Sequence, residues 1–295
     1  MRARLTLAAL AVVAAIAVVV WGFVPGASSV PSRSASTQTS ASPTSASPAA
    51  QPSASGSPVA LTRNMHLVFD ASFHGSKLNT SVWDTCYPYS SSQNGCTNFG
   101  NATKELEWYT PSQVRVSGGV LNLTARRERT SGLTEKGRKK VYGCRSGMVT
   151  SYPGFNFKYG YIQVVAKIPA GAGLWPALWL AASNFQWPPE IDLLEHWGAP
   201  RNGSGMFFHP TGAYQVAYSL PASAEITSGW HTFAVDWTRS QVAWYLDGKI
   251  VFRVVQNIPR QRMYFIANVA AFSDKKWRNA CNGTLKVRSV KVWQS

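Results

Sequence analysis

The sequence predicts an all-β domain, a sandwich or barrel of short antiparallel strands. Three observations carry that prediction. Apolar residues recur with period two between positions 114 and 293, turn signals rich in Gly, Pro, Asn and Asp separate the alternating runs, and helical periodicity is nearly absent.

Taken in order, Val114 and Val116 alternate, Ser117-Gly118-Gly119 turns the chain, and residues 120–124 alternate back, which predicts a hairpin. Residues 161–168 form a further strand, stopped by Pro169-Ala170-Gly171. His231, Phe233, Val235 and Trp237 alternate, and residues 242–252 read as a hairpin around Asp247-Gly248. Leu285, Val287, Ser289 and residues 290–293 supply a closing strand. Trp230, Trp237, Trp244 and Trp293 are expected to pack the interior.

The amino-terminal fifth of the chain is different in composition. Residues 1–27 begin with Arg2 and Arg4 and continue as an uncharged apolar run over 5–24, the pattern of an export signal, either cleaved or retained as a membrane anchor. The two Arg place the amino end inside, so the rest of the chain is expected outside the cell. Residues 28–59 are almost entirely Ser, Thr, Ala and Pro, with Arg33 the one charge, a flexible linker that cannot build a core. Residues 60–295 then form one domain, expected to be monomeric.

The chain carries 29 Lys and Arg against 13 Asp and Glu, a formal net charge of +16, with 12 Trp. With 45% hydrophobic, 12% aromatic and only 14% charged residues, the composition excludes a coiled coil or a disordered regulator. Basic charge with aromatics invites a nucleic-acid reading, but no Walker loop, zinc spacing or RNP pattern supports it, and no nucleic-acid partner is expected. Eight basic residues, Arg126, Arg127, Arg129, Lys136, Arg138, Lys139, Lys140 and Arg145, fall in one run that reads mostly as a protruding loop. It is either solvated or an attachment point for an anionic polymer.

Four cysteines, Cys86, Cys96, Cys144 and Cys281, stand in an exported chain without a CxxC pair, which predicts disulfides. Three connectivities are open. The shortest loop pairs Cys86 with Cys96 and leaves Cys144 with Cys281.

The scarcity of acids makes one segment conspicuous, because Glu190-Ile191-Asp192-Leu193-Leu194-Glu195 places three of the 13 within six positions. On a regular strand Glu190 and Asp192 share a face and Glu195 points away. One extra residue at Leu193 or Leu194, a β-bulge, brings all three acids to one face and leaves the apolar residues for the core. Carboxylates crowded in this way repel, and metal binding or proton chemistry is the usual reason to tolerate them. Two acids flanking a scissile bond are what glycoside hydrolysis needs, one to attack the anomeric carbon and one to protonate the leaving oxygen. A solvated acidic strand or a set of calcium ligands is the competing reading.

This segment resembles the E-x-D-x-x-E signature of glycoside hydrolase family 16 in its laminarinase-like, bulge-containing form. Glu105-Leu106-Glu107-Trp108-Tyr109-Thr110, Ser146-Gly147, Phe157-Lys158-Tyr159-Gly160, Gly173-Leu174-Trp175-Pro176-Ala177-Leu178-Trp179-Leu180 and Trp244-Tyr245-Leu246-Asp247-Gly248 are similar to the family's other strands, in order. The resemblance implies a concanavalin-like β-jelly roll, retention of configuration, and a polysaccharide substrate, with a lean toward β-1,3-glucan. It implies Glu190 as nucleophile, Glu195 as acid/base and Asp192 as helper. A transglycosylase, a galactan hydrolase and a non-catalytic carbohydrate-binding domain are the alternatives. No cofactor or metal ligand is expected in the site, and a structural calcium ion is left open.

Aromatic rings stack on sugar faces. On that ground Trp108, Trp175, Trp179 and Trp197 are candidate sugar contacts, with Trp187 nearby, and His209 and Asn268 join them by resemblance. Two positions depart from the family pattern: Met148 stands where an Arg is common, and Ala271-Phe272 replaces a Gly-Gly pair, which puts an aromatic at the edge of the site.

Overall fold

Alternation along the strands builds two sheets with a shared apolar interior. The computed structural model describes residues 64–89, 95–98, 105–171, 173–198, 203–211, 214–220, 225–272 and 281–295. The apolar run 5–24 and the linker 28–59 lie outside the described residues.

Among the described residues the strands are β1 (His66–Ala71), β2 (Glu107–Tyr109), β3 (Val114–Ser117), β4 (Val120–Arg126), β5 (Thr130–Leu133), β6 (Lys139–Tyr142), β7 (Cys144–Ser146), β8 (Met148–Thr150) and β9 (Gly160–Lys167). They continue as β10 (Leu174–Ala182), β11 (Glu190–Trp197), β12 (Gly203–Thr211), β13 (Tyr214–Ser219), β14 (His231–Trp237), β15 (Val242–Leu246), β16 (Lys249–Val254), β17 (Met263–Ala271) and β18 (Asn282–Gln294). One sheet runs β16-β15-β14-β9-β18-β4-β7-β2, with β1 also on β18 and β3 also on β4; the other runs β13-β12-β11-β10-β17-β8. The hairpins read at 114–124 and 242–252 and the closing strand are all present. The result is a β-jelly-roll sandwich.

The core lies between the sheets. Leu121 and Leu123 from β4 and Ile162 and Val164 from β9 meet Leu178 and Leu180 from β10, Ile191 and Leu193 from β11, and Phe265 and Ala267 from β17. Trp237 and Trp244 are fully buried among them, and a large apolar side chain buried in this way stabilises the fold by about 1.5–3 kcal/mol. Because side chains alternate, the same strands turn their other residues outward, so Trp175 and Trp179, the three acids, His209 and Asn268 share the outer face of the six-stranded sheet.

Cys86 pairs with Cys96 and Cys144 with Cys281, as the short-loop reading expects. The basic run differs from the expected loop. Residues 130–142 are a hairpin, β5 against β6, with Thr130 opposite Tyr142 and Gly132 opposite Lys140. Its seat is Trp108, whose ring lies where a side chain on Gly132 would stand. Glycine there lets the hairpin settle onto the indole, so the charges project from an ordered ribbon.

Candidate active site

The acid-bearing segment is a bulged strand at the middle of the six-stranded sheet. Against β12, Asp192 is opposite Phe207 and Glu195 opposite Gly205, three steps on one strand for two on the other. Against β10, Asp192 is opposite Trp179 and Leu194 opposite Leu178, so Leu193 is the extra residue. Ile191, Leu193 and Leu194 are all fully buried. A bulge disturbs the ladder and leaves backbone groups to be satisfied elsewhere. Here the carbonyl of Asp192 accepts a 2.8 Å hydrogen bond from Trp244 Nε1, which reaches across the core from the opposing sheet.

Each glutamate is held by an indole. Trp187 Nε1 donates to Glu190 Oε2 at 3.0 Å and Trp175 Nε1 donates to Glu195 Oε1 at 2.9 Å. Asp192 is nearly inaccessible, and its Oδ2 makes no hydrogen bond among the described residues. His209 Nε2 stands 3.7 Å from Glu190 Oε1 and 3.8 Å from Asp192 Oδ2. Oxygens of Glu190 and Asp192 and a ring nitrogen of His209 lie within 4.8 Å of one another, a group able to hold a metal ion.

The electrostatics reflect this crowding. Burial lifts Glu190 to about 7. Burial together with the charge of Glu190 lifts Glu195 to about 8. Burial, then the charges of Glu190 and Glu195, hold Asp192 well above the ordinary carboxylate range. The two indole bonds pull the other way, since an N–H donated to a carboxylate favours its charged form. Burial lowers His209 to about 4, so its imidazole is neutral at neutral pH. With Glu195 at about 8, the cluster keeps at least one proton near pH 7. An acid able to donate thus sits beside one able to ionise.

The aromatic residues divide. Trp175 lies flat on Phe272, centroids 4.9 Å apart and planes 9° apart. Trp179 donates its indole N–H to Asn268 Oδ1 at 2.8 Å, and Asn268 Nδ2 donates to the Tyr109 hydroxyl at 3.0 Å. Trp197 stands edge-on to Phe207 on the same face. Trp108 departs from the expected sugar contact: it is 2% exposed and closed in by Tyr142 and by the approach of Gly95 and Gly132, so it offers no free face. The residues not singled out from sequence are Glu105 and Glu107. Both are buried, and Glu107 Oε2 accepts the backbone N–H of Ala271, with burial raising its carboxyl. Their E-x-E spacing is the one sequence signal that points to them.

Residues 102–284 match the family model described as glycosyl hydrolases family 16. The chain belongs to this family. Among curated relatives, the chain is similar to an endo-1,3-1,4-beta-glycanase, EglC, of Rhizobium meliloti, 31% identical over 75% of this chain and 50% of the relative. The glucan endo-1,3-beta-glucosidase A1 of Niallia circulans is 30% identical over 78% of this chain and 38% of the relative. The chain thus spans about half, or less, of the length of these relatives. Among solved structures, the laminarinase catalytic domain from Thermotoga maritima superposes with a TM-score of 0.64 at 26% identity, covering 78% of this chain and 98% of that one.

Proposed function

We propose that the chain is a retaining endo-glycosidase acting on internal bonds of a β-1,3-glucan. The observation that carries the reading is the pair of indole-held glutamates on one face of a bulged strand, with a proton retained between them. Glu190 attacks the anomeric carbon. Glu195 gives its proton to the departing glycosidic oxygen, then takes one from the water that releases the glycosyl-enzyme. Asp192, buried between them, keeps the charge of the cluster below three. Trp175, Trp179 and Trp197 offer ring surface along the face on which the glucan lies. The glucanase names of the relatives support the substrate class.

Residues 5–24 support export, secreted or membrane-held, and the enzyme acts as a monomer. The basic hairpin offers its charge to anionic polymers around the cell.

A panel of laminarin, mixed-linkage glucan, xyloglucan, agarose and carrageenan, with product sizing and the anomer followed by NMR, tests the reading. Laminarin giving oligosaccharides of retained configuration is expected. Cleavage of agarose or carrageenan alone, an inverted product, or binding without cleavage in the panel overturns it.

A further inference from the structure

We propose that Glu190, Asp192 and His209 form a binding site for a divalent transition metal, zinc in the first place, whose occupancy shuts off turnover. The inference deepens the glycosidase reading and rests on it for its effect on activity, while metal binding itself is independent of that reading.

Three observations point to a ligand. The first is the donor set, two carboxylates and an imidazole converging from β11 and β12. The second is geometric. Bonds of about 2.0–2.2 Å to a tetrahedral ion set neighbouring donor atoms about 3.3–3.6 Å apart. His209 Nε2 is 3.7 Å from Glu190 Oε1 and 3.8 Å from Asp192 Oδ2, so the imidazole needs to close by only a few tenths of an ångström, while the two carboxylate oxygens, within 4.8 Å of each other, draw together by side-chain rotation. The third is Asp192 Oδ2. It belongs to a side chain 2% exposed, faces His209, and lacks a hydrogen-bond partner among the described residues. A buried acceptor aimed into a set of donors is what a cation would satisfy.

Zinc fits better than calcium or magnesium. The hard ions take six or more oxygens or keep several waters, whereas mixed imidazole and carboxylate ligation suits the first-row transition ions. Three protein ligands leave a fourth position. Glu190 and His209 are partly exposed, at 17% and 18%, while Asp192 closes the inner side, so that position opens outward to water. With zinc on Glu190, the oxygen that attacks the sugar is engaged and the anomeric carbon has no nucleophile. Turnover then tracks the free fraction of the site.

Tag-free wild-type protein is titrated with zinc chloride by calorimetry, in parallel with His209→Gln and Asp192→Asn. One saturable site is expected in the wild type, weakened by at least about tenfold in both variants, as loss of one of three ligands requires. Cobalt in place of zinc is expected to give the strong visible bands of a four- or five-coordinate ion, absent in both variants. Laminarin hydrolysis falls over the same zinc range and returns on adding EDTA. Equal zinc affinity in all three proteins, or no saturable binding in the wild type, overturns the proposal. Circular dichroism checks the fold, and if Asp192→Asn does not fold, the partly exposed His209→Gln decides. Should laminarin not be cleaved while the calorimetric and cobalt results hold, the glycosidase reading falls and the metal site stands.

Discussion

Trp175 donates its indole N–H to Glu195 at 2.9 Å while its ring lies flat on Phe272. One side chain thus links Glu195, the proton donor we propose, to Phe272 at the edge of the site. The stack fixes the indole plane, and the plane fixes the direction of the N–H.

Trp175→Phe keeps ring surface against Phe272 and deletes the donor. Because that donor favours the charged form of Glu195, its loss raises the carboxyl further. The alkaline limb of the pH–rate profile on glucan, set near pH 8 by Glu195, is expected to move upward. A fall in kcat of about tenfold is expected from losing a hydrogen bond to a charged group. An unmoved limb would show that the indole bond does not tune the acid.

The acids also set how stability varies with pH. Glu190 and Glu195 stand at about 7 and about 8 in the folded protein, above the ordinary value of 4.5. Folding therefore holds protons that the unfolded chain releases, so their contribution is full below about pH 4.5 and is lost as pH rises through 7 and 8. Glu195→Gln removes one of these groups. Its melting temperature should match that of the wild type near pH 4 and exceed it near pH 9, while hydrolysis is lost. Melting curves that stay parallel across this range would refute the raised carboxyl of Glu195.

A different test concerns the bulge. Trp244 caps the Asp192 carbonyl from across the core, and Trp237 makes a comparable buried bond to the Pro259 carbonyl without reaching the acids. Replacing either with Phe leaves a carbonyl unsatisfied, at a cost of about 1–3 kcal/mol. Only Trp244→Phe should also lower kcat on glucan, because only that carbonyl belongs to the strand that aims the acids. Urea unfolding with kinetics on both variants separates the effects, and equal activity losses would reduce Trp244 to a packing residue.

The bulged acid strand is legible in the sequence because acids are scarce and because Leu193-Leu194 breaks the parity that Glu190 and Asp192 establish. The strands at 114–124 and 242–252 are legible from alternation about a glycine turn. The features that escape depend on contacts between distant positions. Trp244 and Asp192 are 52 residues apart and meet only when the sheets face each other. Trp108 sits in an aromatic motif that resembles a family strand, yet its burial is decided by Gly132 and Tyr142 on the hairpin laid over it. That hairpin reads as a loop in sequence because charge masks four residues of pairing on each strand. Trp187 bonds to Glu190 three residues on, a contact that strand spacing does not reveal.

Asn268 separates binding from chemistry. It joins Trp179 to Tyr109 and bonds to neither glutamate among the described residues, so it orients the ring that stands opposite Asp192 without touching the acids themselves. Asn268→Ala frees the Trp179 indole and leaves the Tyr109 hydroxyl, fully buried, without this partner. An interaction made equally in ground and transition states changes KM and spares kcat. The expected result is a KM for laminarin raised by roughly three- to tenfold with kcat nearly constant. A loss confined to kcat would instead place Asn268 with the reacting groups, and the ring of Trp179 would lose its assigned part in binding.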